Sequence, residues 1–216
     1  DKSISIRTLL LGSQAYGKTS IENILSSGDI FSAIKCLRKL GIRITLDKNK
    51  CYVYGQGING FKFKKDIVLN AGNSGTFARL ILGLLVKSPN YIKLTGDKSL
   101  SKRDFERVIS PLQKVGANFI VNNKKTLPLK IKGSNFVNPI HYIEKRGSAQ
   151  CKSTVMLAAL NSPGKTIITA KKSRDHTENI FKYLRIPIFI KKKKLTDEIE
   201  IKGQKSFKAF KYKIPS

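Results

Sequence analysis

Three stretches of this 216-residue chain align with one another at a period of about 70 residues, and that repeat limits the folds open to it more than any other feature. The copies begin at Leu9, Leu80 and Val155. They pass through Leu37–Ile44, Leu112–Phe119 and Tyr183–Ile190, and end on Gly55, Gly133 and Gly203. Each copy reads as an apolar helix, a turn, a β-branched strand, an amphipathic helix and two more strands. Ile30, Ile34 and Leu37 recur at helical spacing, whereas Ile42, Ile44 and Leu46 alternate as in a half-buried strand. The first helix of a copy is apolar nearly all round (Leu80, Ile81, Leu82, Leu84, Leu85, Val86) and belongs in a core; the second is one-sided and lies between sheet and solvent. The expected architecture is α/β: three βαβαββ units packed around buried helices, as one domain over 1–216, with the first strand of the first unit missing.

Polar, charge-bearing corners precede the helices. Before the central helices stand Asp1–Arg7, Asn73–Thr76 and Arg146–Lys152; before the amphipathic ones stand Ser26–Asp29, Gly96–Arg103 and Ser173–Glu178. Units sharing an axis would bring these helix starts to one side of the domain. That side would be electropositive and lined with N–H donors, a setting for anions. The clearest corner runs from Ile67-Val68-Leu69 through Gly72 and Gly75 into the helix carrying Thr76 and Arg79, with glycines where backbone must bend or approach a ligand. Taken singly, each corner is equally an ordinary strand–turn–helix connection.

Composition narrows the partners. The net charge of +28 raises nucleic-acid binding, yet only nine of 42 basic residues are arginine and the lysines are scattered, with one dense block at Lys191–Lys194 in an expected turn. That pattern favours solvated faces, and a field that would also attract small anions, with a basic nucleic-acid-binding module as the rival reading. No apolar run approaches the ~20 residues of a membrane span, and Asp1-Lys2-Ser3 has neither an initiator Met nor a signal-peptide pattern, so the chain reads as beginning in mid-protein. Cys36, Cys51 and Cys151 are odd in number and widely spaced, which points to a reducing cytoplasm and to neither a disulfide framework nor a zinc site.

One motif misleads. Gly12-Ser-Gln-Ala-Tyr-Gly-Lys-Thr19 matches the phosphate-binding P-loop pattern, but a P-loop Lys-Thr opens a helix, and the matching Gly164-Lys-Thr166 runs into the strand-like Ile167-Ile-Thr169.

Five motifs occur together in fixed order: Lys2-Ser-Ile-Ser; Gly72-Asn-Ser-Gly-Thr with Arg79; Gly96-Asp-Lys-Ser-Leu-Ser-Lys-Arg103; Gly147-Ser-Ala-Gln-Cys-Lys-Ser153; and Ser173-Arg-Asp-His-Thr-Glu178. In order and spacing the chain resembles the amino-terminal of the two domains of the 5-enolpyruvylshikimate-3-phosphate synthase family, along its whole length. The resemblance implies transfer of the enolpyruvyl group of phosphoenolpyruvate to the 5-hydroxyl of shikimate 3-phosphate, with release of phosphate and without a metal or organic cofactor. By the same resemblance Lys2 touches both substrates, and Ser3 and Arg7 hold shikimate 3-phosphate. Gly75 and Arg103 hold phosphoenolpyruvate, Gln150 lies between the two, and Ser148, Ala149, Ser173 and Arg174 bind the shikimate phosphate side. The partners implied are those two substrates and a carboxy-terminal domain missing from this chain, with no nucleic acid and no membrane. The chain departs from the family pattern at Ile6, expected to be a packing change, at Asp104, expected to loosen the loop after Arg103, and at Leu80.

Overall fold

The computed structural model describes residues 1–215. Its elements follow the repeat. The first unit comprises α1 (Lys2–Gln14), β1 (Tyr16–Glu22), α2 (Gly28–Lys39), β2 (Arg43–Asp47) and β3 (Lys50–Gln56). The second comprises β4 (Val68–Asn70), α3 (Gly75–Leu84), β5 (Ile92–Thr95), α4 (Glu106–Lys114), β6 (Asn118–Val121) and β7 (Leu129–Lys132). The third comprises β8 (His141–Glu144), α5 (Ala149–Ala159), β9 (Lys165–Lys171), α6 (His176–Tyr183), β10 (Ile188–Lys192) and β11 (Thr196–Lys202); β12 (Lys211–Lys213) follows.

Each unit forms a four-stranded sheet of the same design, ordered β12-β1-β3-β2, β4-β5-β7-β6 and β8-β9-β11-β10. The first pair in each is parallel and the other two are antiparallel. The position that β4 and β8 occupy in their sheets is taken in the first by β12, which pairs Ser20 with Lys211 and Glu22 with Lys213. Residues from the two ends of the sequence thus complete one sheet, and Ile214 just beyond β12 is fully buried.

The helices α1, α3 and α5 form the centre. Residues Leu80, Ile81, Leu82, Leu84, Leu85 and Val86 are all at most 1% exposed, as expected for a helix apolar on every side. The amphipathic α2 buries Ile30, Ile34 and Leu37 and turns Lys35, Arg38 and Lys39 outward. Strands alternate where one face meets the helices: in β7, Leu129 and Ile131 are buried while Lys130 and Lys132 are exposed. Leu46 departs from the expected alternation. It lies at the end of the edge strand β2, beside the turn at Lys48, and is 45% exposed.

The glycine that closes each copy has a steric cause. A Cβ on Gly55 would lie 2.2 Å from the carbonyl oxygens of Gly12 and Ala15, and one on Gly133 would lie 2.5 Å from the Val86 carbonyl oxygen. On Gly203 it would lie 1.8 Å from the Ser162 carbonyl oxygen. In every unit the strand after the hairpin slides beneath the end of its own central helix, backbone on backbone, and no side chain fits between.

The P-loop match dissolves on this framework. Gly12 lies inside α1, while Lys18 and Thr19 lie in β1, where the Lys18 ammonium sits 4.1 Å from the centre of the Tyr52 ring. The lysine block is also placed differently from the expected turn: Lys191 and Lys192 belong to β10, and only Lys193 and Lys194 lie beyond it.

Candidate active site

The starts of α1, α3 and α5 meet at one pole of the helix trio, linked by side chains that reach from one unit to the next. Serine or aspartate caps each helix. The Asp1 carboxylate accepts from the Ile4 N–H at 2.8 Å, Ser74 Oγ from Phe77, and Ser148 Oγ from Cys151. Between the three starts lies a cavity of about 210 Å³ lined by Asp1, Lys2, Ser3, Arg7, Thr76, Ala149, Gln150 and Arg174.

Arg7 is the junction of α1 and α5. Its Nη1 donates to Ser3 Oγ at 2.5 Å, one turn back on the same face; its Nε donates to Thr177 Oγ1 at 2.7 Å, and its Nη2 to Ser153 Oγ at 3.1 Å. Ser153 and Thr177 are themselves hydrogen-bonded at 2.7 Å. Burial lowers the Arg7 pKa to about 10, and Arg174 pushes the same way against the opposing pull of Glu178. A guanidinium held in this way stays charged at neutral pH but lacks a full water shell, so an incoming anion meets it at little desolvation cost.

Gln150 joins α5 to α3. Its Oε1 accepts from Arg79 Nη1 at 2.8 Å and its Nε2 donates to Thr76 Oγ1 at 3.0 Å, which fixes the amide across the cavity floor. Arg79 also donates from Nη2 to the Asp104 carbonyl at 3.1 Å. The Asp104 carboxylate accepts from the Glu106 N–H at 2.7 Å, so the residue expected to loosen the loop after Arg103 is pinned at both its carbonyl and its side chain. Ile6, by contrast, packs as expected and is fully buried.

Gly75 opens α3, and its own N–H is taken by the Asn73 carbonyl at 2.9 Å. A Cβ there would lie 3.0 Å from Arg103 Nη1 and 3.3 Å from Arg79 Nη1, so two guanidinium groups crowd the bare backbone. Arg103 itself is exposed. Lys2 pairs with Asp29 at the start of α2, 3.0 Å away. Of the residues expected to bind substrate, Lys2, Ser3, Arg7, Ala149, Gln150 and Arg174 line the cavity. Gly75 and Arg103 stand together beside Thr76, one of its walls. Ser148 spends its hydroxyl on the cap, and the buried Ser173 Oγ has no protein partner.

Beneath the cavity lies an ion pair that motif reading passed over. Lys152 Nζ and a Glu178 carboxylate oxygen are 2.5 Å apart, with side chains 1% and 3% exposed. A lysine as the one charged residue of a helix that is otherwise buried beyond its first turn was the available signal, since such a charge must be paired when buried. Arg79 was visible in the same way, as the one cation of α3. Among the described residues no group of three or more His, Cys, Asp or Glu side chains is placed to hold a metal ion, and no helix is long and apolar enough to cross a membrane.

Three four-stranded sheets around converging helices define an α/β fold, with cations, amides and hydroxyls gathered at the pole where the central helices start. The chain belongs to the EPSP synthase (3-phosphoshikimate 1-carboxyvinyltransferase) family, which it matches over residues 1–216. It is 43% identical to the 3-phosphoshikimate 1-carboxyvinyltransferase of Ruthia magnifica over 217 aligned residues, covering 100% of this chain and 48% of that protein. It is 40% identical to the enzyme of the same name from Bacillus cereus, over 87% of this chain and 44% of that one. The solved EPSP synthase of Acinetobacter baumannii superposes with a TM-score of 0.91 at 32% identity, over 100% of this chain and 48% of the other. The chain thus spans about half the length of the curated relatives it matches.

Proposed function

We propose that this chain is the shikimate-3-phosphate-binding half of an enolpyruvyl transferase, acting as one domain over residues 1–216. One observation carries the reading: Lys2, Arg7 and Arg174 converge on a single cavity whose floor is the fixed Gln150 amide, with Arg103 over Gly75 alongside. Two multiply anionic ligands side by side need such a set of fixed cations and dipoles.

In this reading Arg7, Ser3, Ser173 and Arg174, with Ser148 and Ala149 at the start of α5, hold shikimate 3-phosphate. Arg103 lies against phosphoenolpyruvate, which approaches the backbone at Gly75. Lys2 leaves Asp29 to bridge both substrates, and Gln150 orients them. Across the reaction, the 5-oxygen of shikimate 3-phosphate forms a bond to C2 of phosphoenolpyruvate, the C2–O bond to the phosphoryl group breaks, and the 5-hydroxyl proton passes by way of a base to the departing phosphate. The residues of this chain bind, orient and stabilise charge through these steps. The base is assigned elsewhere, because the one carboxylate that lines the cavity, Asp1, caps α1, and Asp29 is not among the lining residues. A complementary half supplies it, excludes water and completes the phosphoenolpyruvate site. The reaction belongs in the cytoplasm, where the buried thiols of Cys36, Cys51 and Cys151 stay reduced.

The test is phosphate release from phosphoenolpyruvate, dependent on shikimate 3-phosphate, with this chain alone, with the carboxy-terminal half of the Ruthia magnifica relative alone, and with the two mixed. Turnover is expected only from the mixture. Substantial turnover by this chain alone would contradict the division of labour.

A further inference from the structure

The edge of a guanidinium that carries Nε and Nη2 is suited to a carboxylate, with two parallel N–H bonds to two oxygens. In Arg7 that edge meets two hydroxyls instead. Nε donates to Thr177 Oγ1 at 2.7 Å and Nη2 to Ser153 Oγ at 3.1 Å, and the two hydroxyls are themselves hydrogen-bonded at 2.7 Å. Nη1 turns the other way, to the Ser3 carbonyl at 3.0 Å and to Ser3 Oγ. The second N–H of Nη2 has no acceptor among the described residues, so this arrangement leaves a donor unused.

Glu178, the carboxylate whose charge Arg7 feels, is engaged elsewhere, and burial outweighs its pull on Arg7. Glu178 follows Thr177 in the chain and Lys152 precedes Ser153, so the buried Lys152–Glu178 pair ties α5 to α6 right beside the two hydroxyls and fixes their spacing. Ser153 and Thr177 are each 1% exposed and neither lines the cavity, whereas Arg7 does. They can therefore act on a ligand only through Arg7. A hydroxyl carries no formal charge, so it fixes the plane of the guanidinium without neutralising it. A carboxylate in the same place would fix the plane equally well and cancel the field that attracts an anion.

We propose that Thr177 and Ser153 are positioning residues for shikimate 3-phosphate, an uncharged fork that sets the plane of Arg7 and leaves its charge to the ligand. The inference rests on the reading of Arg7 as a shikimate 3-phosphate contact, and it adds two residues that do not themselves touch the substrate.

The experiment is a calorimetric titration of this chain with shikimate 3-phosphate, in the parent and in three variants, with melting temperatures read alongside. Thr177→Val keeps the shape of the side chain and removes the hydroxyl, whereas Thr177→Ser keeps the hydroxyl and removes a buried methyl. Thr177→Val should bind about tenfold or more weakly, the scale of one lost hydrogen bond to a charged group. Thr177→Ser should melt lower and yet bind as the parent does. Ser153→Ala takes only the longer of the two fork bonds to Arg7 and should weaken binding by a smaller factor, which decides the matter if Thr177→Val does not fold. A purely structural role would move melting temperatures and leave the affinity of the folded chain alone. Unchanged affinity in Thr177→Val or in Ser153→Ala, or Thr177→Ser binding as weakly as Thr177→Val, would overturn the proposal and leave the proposed function standing. A parent chain that does not bind shikimate 3-phosphate would overturn both together.

Discussion

The two poles of the helix trio are built on different principles. At the C-terminal pole the three units repeat one another: Gly55, Gly133 and Gly203 each let a strand pass under the end of a helix, and the contacts are backbone on backbone. At the N-terminal pole the units differ, and side chains of different units join: Arg7 to Ser153 and Thr177, and Gln150 to Thr76 and Arg79, while the buried Lys152–Glu178 pair links two helices of the third unit. What the copies share makes the fold, and where they diverge they make an asymmetric cluster, the one proposed to receive asymmetric ligands. A packing change should therefore be felt as stability at one pole and as affinity at the other, unless it strips a buried charge of its partner.

The largest effect is expected from that exception. Lys152→Met leaves the Glu178 carboxylate buried and unpaired, and should destabilise the chain by about 3–5 kcal/mol in denaturant melts. Replacing both partners, Lys152→Met with Glu178→Leu, should recover much of that loss; a double variant as unstable as the single one would show that the pair does more than neutralise itself.

Next comes Gly203→Ala, whose Cβ would sit 1.8 Å from the Ser162 carbonyl oxygen. Neither backbone segment can yield cheaply, so a loss of about 3 kcal/mol, the upper part of the range for overpacking, is expected in thermal melts. The folded fraction should bind shikimate 3-phosphate as before. Unchanged stability would remove the steric account of the repeat's closing glycines.

At the other pole, Arg103→Lys keeps the charge but loses the planar fork, and should cost about 1.5–3 kcal/mol in kcat/KM once the chain is joined by a complementary half. Unaltered kinetics would take Arg103 out of the site. Gly75→Ala sharpens the contrast with Gly203, because its Cβ would meet side chains and no backbone, most tightly the exposed Arg103 guanidinium at 3.0 Å. Folding should survive while phosphoenolpyruvate binds about tenfold more weakly, roughly 1.4 kcal/mol. A large drop in melting temperature with affinity intact would make it an ordinary structural corner.

The smallest effect concerns His176, whose Nδ1 lies 3.4 Å from Ser3 Oγ. Burial, then the charges of Arg7 and Arg174, hold its pKa below the ordinary 6.5. The unfolded chain therefore takes up this proton more readily, and stability should fall slightly as pH drops below 6.5. A bound phosphate dianion would offset the two arginines, so the His176 pKa measured by NMR should rise when shikimate 3-phosphate is added. A value that ignores the ligand would place the phosphate elsewhere.

The sequence disclosed these poles unequally. The repeat made the three units, their buried first helices and their half-buried second helices legible, because hydrophobic periodicity is set by the same packing that forms the core. It also marked Gly55, Gly133 and Gly203 as corresponding, although only the structure gives the reason. The place of β12 was hidden, since no local pattern tells a three-residue strand near residue 212 to pair with β1. Motifs gave the cavity residues but not their wiring. Nothing in the spacing of Arg7, Ser153 and Thr177 says that they meet, and nothing in the motif says that Ser148 Oγ also caps α5. Lys152 and Arg79, charges inside apolar helices, were the underused signal.

The central claim is that the asymmetric pole, and not the symmetric one, receives the shikimate substrate. It is tested most directly by titrating the labelled chain with shikimate 3-phosphate and mapping the perturbed backbone and side-chain resonances. The account predicts shifts at Ser3, Ala149, the Gln150 amide, Ser173 and Arg174, with Gly133, Asn161 and Gly203 silent. Shifts confined to the pole of Gly133 and Gly203, or none at saturating ligand, would contradict it.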